Sequence, residues 1–282
     1  MFGVSLKIHS VFGHLIGKLT RRYYFEDYVR VYPDNIAYNL FGNRVQPNKN
    51  NFLNHCKFYK FASQFVTNKV VADIGCGSGY GCEILSKSGA ACVYGADISK
   101  KAVKFAESRY GDSAEFSLQR ITRLNKYEHD FFDISISNEV LEHVKEYGKE
   151  NIALKELKRI TKHNGLVIVG TPNSELLEGH GFTFDEISNL FKNFFSRYCL
   201  FENAFLPFKD RKPLWEKRLK EGKVGEIITQ NINLSESVLP NGVRPEIKQG
   251  LEPGRYTFLQ EYSIDTTLLH NTHSWIVIAI NR

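Results

Sequence analysis

Two periods of apolar and polar residues alternate along the 282-residue chain. Short runs rich in Val, Ile, Phe and Tyr recur at 70–74, 92–98, 114–118, 131–137, 166–170, 197–203 and 274–280. Runs of this length and composition read as strands buried in a sheet. Between them, apolar residues repeat at three- and four-residue spacing, which predicts helices. The segment 55–66 carries Phe58, Phe61, Ala62 and Phe65, and 82–87 has helical character. The segment 99–110 places Ala102, Val103, Phe105 and Ala106 behind Ser99 as N-cap. Ile152, Leu154, Leu157 and Ile160 mark 150–161, and a last helix is expected over 184–195. Strands alternating with helices predict an α/β fold: a seven-stranded, largely parallel sheet with helices on both faces. No internal repeat interrupts the pattern.

Two regions fall outside this alternation. Residues 1–54 combine an N-terminal helical pattern (Val4, Ile8, Val11, Phe12, Leu15, Leu19) with an irregular segment broken by Pro33 and Pro47. The helix is expected to pack on the domain or on a second subunit, which would make a homo-oligomer. It lacks the basic start and cleavage site of a signal peptide. Residues 204–273 separate the last two expected strands. A structureless loop of that length is uncommon in a compact domain unless it covers or binds something. The expected organisation is therefore residues 1–54, a core over 55–203, a lid-like insertion over 204–273, and a last core strand over 274–282.

Composition narrows the setting. The net charge is +6 and hydrophobic residues make up 42%, enough for a sizeable core. Within 209–223 seven Lys or Arg face three acids, so the insertion carries a basic stretch suited to attracting an anionic acceptor. Five cysteines (Cys56, Cys76, Cys82, Cys92, Cys199) without paired spacing read as reduced thiols and predict a cytoplasmic location. No apolar run approaches the roughly 18 residues that would predict a transmembrane segment.

The chemistry concentrates at 70–90. Val70, Val71, Ala72 and Ile74 lead into Gly75, Gly77, Gly79 and Gly81, followed by helical sequence. Strand, glycine loop and helix together present backbone N–H groups to a ligand. A dinucleotide fingerprint fails in both registers, because Tyr80 and Cys82 occupy the positions of its third glycine. Asp73, at the end of a buried strand, needs a partner, and a ligand ammonium would serve. Further on, Tyr94-Gly95-Ala96-Asp97 ends the second strand about 20 residues after the loop, where a carboxylate can accept from ribose hydroxyls. Ser137-Asn138-Glu139-Val140-Leu141-Glu142-His143-Val144 follows the fourth strand, and Gly179-His180-Gly181-Phe182 the fifth.

The run D-I-G-C-G-S-G-Y-G resembles the first motif of the class I S-adenosylmethionine-dependent methyltransferases, whose fold is a Rossmann-like seven-stranded sheet. The likeness covers about 52–205 with the last strand added. It extends to the Asp97 motif, to S-N-E-V-L-E-H-V, and to His55-x-x-x-Tyr59-x-Phe61-Ala62. The resemblance implies S-adenosyl-L-methionine as cofactor, held by Asp73, Gly75, Cys76, Gly77, Gly79, Tyr80, Asp97, Ile98, Ile121 and Asn138. The third motif departs from the family: Gln119-Arg120-Ile121 stands where Gly-Asp is usual, so stacking by Ile98 or a backbone contact near Ile121 would take over the adenine contact. His143 is the expected general base for a hydroxyl acceptor. Glu139, Glu142, His143 and His180 resemble the divalent-metal motif, such as for Mg, of ubiquinone-biosynthesis O-methyltransferases and small-RNA 2′-O-methyltransferases. The expected function is O-methylation of a small polar acceptor, a sugar or glycan precursor. An RNA ribose 2′-O-methyltransferase is the second reading, and a catalytically silent cofactor- or partner-binding module the third.

Overall fold

A computed structural model describes residues 37–38, 44–45, 49–174, 180–204, 255–259 and 274–282. The expected helix within 1–19 and the basic stretch at 209–223 lie outside the described residues. β1 (Ala37–Tyr38) and β2 (Arg44–Val45) form a small antiparallel pair. The main sheet contains β3 (Val70–Ile74), β4 (Cys92–Asp97), β5 (Glu115–Leu118), β6 (Phe132–Asn138), β7 (Thr161–Pro172), β8 (Tyr198–Ala204), β9 (Arg255–Leu259) and β10 (Ser274–Ile280). Their spatial order is β5-β4-β3-β6-β7-β10-β8-β9. Every pairing in it is parallel except the two made by β10, with β7 and β8. All seven expected strands are present. An eighth, β9, comes from the insertion and lies parallel to β8 at the sheet edge. Part of 204–273 is therefore sheet rather than cover.

Helices pack on both faces. α1 (Lys49–Ala62), α2 (Tyr80–Lys87) and α3 (Lys100–Tyr110) bury Phe58, Phe61, Leu85 and Val103 against one face, with Ile134, Ile168 and Ile276. α4 (Leu141–Lys145), α5 (Glu150–Ile160) and α6 (Phe184–Lys192) bury Leu141, Leu154, Leu157 and Ile187 against the other, with Val167, Val169 and Val277. Large side chains such as Phe61, Phe201 and Trp275 are fully buried, each worth about 1.5–3 kcal/mol by removal from water. Ser99 caps α3 as expected, its hydroxyl accepting from the Ala102 N–H.

Two boundaries and one buried position differ from the periodicity. α1 starts at Lys49, ahead of the apolar repeat, so part of the expected irregular segment is helix. β7 begins at Thr161, because an irregularity in its pairing with β6 absorbs the polar residues before Leu166. Ile152, expected on the buried face of α5, is 49% exposed. Ala153 takes the inward place beside Leu154 and Leu157.

The topology fixes where a ligand goes. β3 has β4 on one side and β6 on the other, and the connections leave in opposite directions. Ligands of such sheets bind beyond the carboxyl ends of the strands at this reversal. The glycine loop, Asp97 and the residues after Asn138 all lie there.

Candidate active site

The loop between β3 and α2 is anchored to β4: the Gly75 and Cys76 N–H groups both donate to the Ala96 carbonyl, at 2.7 and 3.0 Å. Gly77, at φ +55°, has nothing among the described residues within 4 Å of where a β-carbon would stand. It is the open floor of the cradle, and its backbone is exposed to an approaching ligand. Gly79, at φ +88°, is closed instead, since a β-carbon would press on Ala106 and Phe116. Gly77 faces open space and Gly79 packs.

Asp97 is 5% exposed. Its Oδ2 accepts from the Gly77 N–H at 2.9 Å and its Oδ1 from the Ser99 N–H at 2.8 Å. The carboxylate thus shapes the loop, and its further lone pairs suit vicinal hydroxyls. Ile98 beside it is half-buried. Ile121 is buried in the core with Leu124 and Tyr127. Gln119 does not replace the missing acid: its amide donates to the Ser117 hydroxyl and accepts from the Lys126 N–H, bracing its own loop. Asn138 is buried at the end of β6, opposite Gly170 of β7.

Asp73, expected to meet a ligand ammonium, has protein partners. The Tyr59 hydroxyl donates to both of its oxygens at 3.2 and 3.1 Å, and the Cys82 thiol donates at 3.4 Å. Complete burial raises its carboxyl to about 7, against the pull of the Cys82 and Tyr59 hydrogen bonds.

The four expected metal ligands divide. Glu142, His143 and His180 offer ligand atoms that all lie within 4.8 Å of one another. Glu139 is not in that group, and its Oε2 meets His55 Nε2 at 3.0 Å. Glu142 is buried and its Oε2 accepts from Thr171, while its Oε1 has no hydrogen-bond partner among the described residues. Burial and the nearby Glu139 charge raise it to about 8. The His143 side chain is 57% exposed, with its ring centroid 5.2 Å from that of His180. Glu146, four residues after Glu142, lies 3.8 Å from His180 and raises it. Lys145 holds the His180 segment down by donating to the Gly181 carbonyl at 2.9 Å and pairing with Glu186. Sequence reasoning passed over Glu146, although its four-residue spacing from Glu142 put both on one helix face. It noted His55 only as part of a motif, four residues before Tyr59.

Residues 72–169 match the family model described as a methyltransferase domain. That stretch, about a third of the chain, is similar to a methyltransferase domain. The chain is 37% identical over 105 residues to the ubiquinone biosynthesis O-methyltransferase of Bradyrhizobium diazoefficiens, a match covering 36% of this chain and 40% of that relative's length. Among solved structures, one chain of the complex between the Haloferax volcanii Trm112 methyltransferase activator and a methyltransferase is similar over 83% of this chain and 91% of its own. Its TM-score is 0.51 at 14% identity, a likeness of fold. A magnesium protoporphyrin IX methyltransferase from Synechocystis, solved with bound S-adenosylmethionine, matches over 56% of this chain and 79% of its own, at 22% identity and TM-score 0.44.

Proposed function

We propose that the protein transfers a methyl group from S-adenosylmethionine to oxygen on a small polar acceptor, a sugar or glycan precursor. The observation that carries the reading is the cradle. Gly77 leaves open space directly beside the Asp97 carboxylate, at the carboxyl ends of the parallel strands. The O-methyltransferase named among the relatives supports oxygen as the target atom. When bound, the cofactor supplies an electrophilic methyl group with a good leaving group already built in. What the chain must add is alignment of the acceptor and removal of its proton. Asp97 orients the ribose hydroxyls. Exposed His143, with buried Glu142 3.9 Å away, takes the acceptor's hydroxyl proton. A cytoplasmic setting fits the five unpaired cysteines.

The orphaned Glu142 Oε1 supports a second reading of the same cluster, as a metal site. With Glu139 committed to His55, the donors are one carboxylate and two imidazoles. That set suits a first-row transition metal better than Mg, which prefers oxygen ligands and water. Incubating the protein with methyl-labelled S-adenosylmethionine and a panel of sugars, phenols and RNA tests the function. Label in a small hydroxylated acceptor is expected, and label in RNA alone would overturn the acceptor class. Elemental analysis of protein purified without chelator, with turnover before and after chelation, decides the second reading. Full turnover without metal leaves His143 as base only.

A further inference from the structure

His55, on α1, bridges two elements distant in sequence. Its Nδ1 lies 2.6 Å from the Tyr80 hydroxyl and its Nε2 3.0 Å from Glu139 Oε2. Tyr80 ends the glycine loop and begins α2, while Glu139 follows β6. These are the two walls of the crevice at the strand-order reversal. The proton positions follow from the partners. An ionised carboxylate only accepts, so Nε2 carries the hydrogen, and Nδ1 is then free to accept from Tyr80. Burial holds Tyr80 far above the ordinary phenol range, so it remains a donor. The His55 side chain is only 14% exposed, and its ring stacks beside that of Tyr80.

Two further observations make this bridge more than a surface contact. Glu139 is a non-glycine residue at φ +54°. A residue of this size in the left-handed region costs of order 1 kcal/mol, and the surrounding structure must enforce it. Here the Glu139 N–H donates to the Gly170 carbonyl at 2.8 Å while its carboxylate reaches back to His55. One turn after His55, Tyr59 binds Asp73 at the other end of the glycine loop. A single helix therefore grips both ends of the loop and the opposite wall.

We propose that His55 is a positioning residue of the cofactor site, and that Tyr80–His55–Glu139 is the clasp that fixes the distance between its walls. This rests on the cradle's being the S-adenosylmethionine site. In the bound state the clasp keeps the crevice closed over the ligand, and release requires it to open. The fate of Glu139 follows from the same bridge, because a carboxylate spent on the clasp is not a metal ligand.

The probe is S-adenosylhomocysteine, measured by calorimetry for affinity and by stopped-flow fluorescence for release. His55→Ala loses one neutral and one charge-assisted hydrogen bond. Its affinity is expected to fall about tenfold to a hundredfold, with most of the change in a faster release rate. Tyr80→Phe and Glu139→Gln should each lose less. The double variant His55→Ala/Glu139→Gln should be no weaker than His55→Ala, since both remove the same bridge. In the unaltered protein, nitrogen NMR should show Nε2 protonated and Nδ1 bare. That measurement needs no variant and stands even if His55→Ala folds poorly. Unchanged release in a folded His55→Ala, strictly additive losses, or the opposite tautomer would overturn the clasp while leaving the cofactor site intact. Wild-type protein that fails to bind the probe would instead bring down the cofactor reading, and the clasp with it.

Discussion

Replacing Asp73 by asparagine isolates the cost of a buried ionisable group. The native carboxyl rises from an ordinary 3.8 to about 7, chiefly because it is fully buried. In the unfolded chain it ionises near its usual value. Between those two pH values the folded protein holds a proton that the unfolded chain has lost. Stability therefore falls as pH rises from about 4 to about 7, and the loss is complete above that. At 1.36 kcal/mol per pH decade, roughly three decades amount to about 4 kcal/mol. Glu142, raised to about 8, and His180, raised by Glu146, push in the same direction. Asp133, Glu156 and Glu186 are lowered, so their stabilisation is lost only as pH falls into the acid range. The ligand-free protein should accordingly be most stable near pH 5. Asp73→Asn keeps the shape and cannot ionise. It should match the wild type near pH 4 and exceed it at pH 8 by about 4 kcal/mol, roughly 5–15 °C in midpoint. Scanning fluorimetry from about pH 4 to 8 reads this directly. Parallel curves for the two proteins would refute the reasoning, because they would show that Asp73 ionises alike in the folded and unfolded states.

Gly77→Val should abolish S-adenosylhomocysteine binding by calorimetry while costing only about 1 kcal/mol in stability, since its side chain enters open space from a left-handed backbone. Normal binding would remove the floor from the site. Asp97→Ala should weaken that binding by about 1–3 kcal/mol. It should also lower the melting temperature, because the Gly77 and Ser99 N–H groups lose their acceptor; unchanged affinity would exclude the ribose role. Replacing residues 205–273 by a short turn joins β8 to β10, whose ends are already paired at Asn203 and Ser274. Cofactor binding should survive and transfer to the native acceptor should fail. Retained turnover with an unchanged acceptor KM would rule out the insertion as a lid.

Much of this fold was legible because its signals are local. Strand runs, a capping serine and a glycine loop each declare themselves within a dozen residues, and their alternation gives a parallel sheet. What escaped depends on tertiary pairing. β9 needed the neighbouring β8 to make a strand of Arg255–Leu259. The site divided along the same line. Gly77 and Asp97 could be read from spacing, and the structure brings them together. The partner of Glu139 could not be read, because His55 is 84 residues away and nothing in either motif names the other. The bonds of Gln119 to Ser117 and Lys126, which brace the loop of the third motif, were likewise out of reach of the sequence.

The placement of β10 has a consequence for how the protein is made. Among the described residues, β8 joins the sheet only through β10, and β9 only through β8. A ribosome adding about 5–20 residues per second completes β7 roughly 5–20 s before it completes β10. Throughout that interval the nascent domain has five parallel strands and an open edge along β7. Val167 and Val169, later buried, then lie on a strand whose N–H and C=O groups lack a partner on one side, the kind of edge that recruits foreign strands. When β10 arrives it pairs with β7 and β8 together. Asn281 then donates to the Thr161 and Lys158 carbonyls and ties the end of β10 to the start of β7. The segment translated after all the other described strands is thus the keystone that links two otherwise separate groups of strands. Stalled or truncated translation would leave an aggregation-prone half-sheet rather than a slightly shorter enzyme.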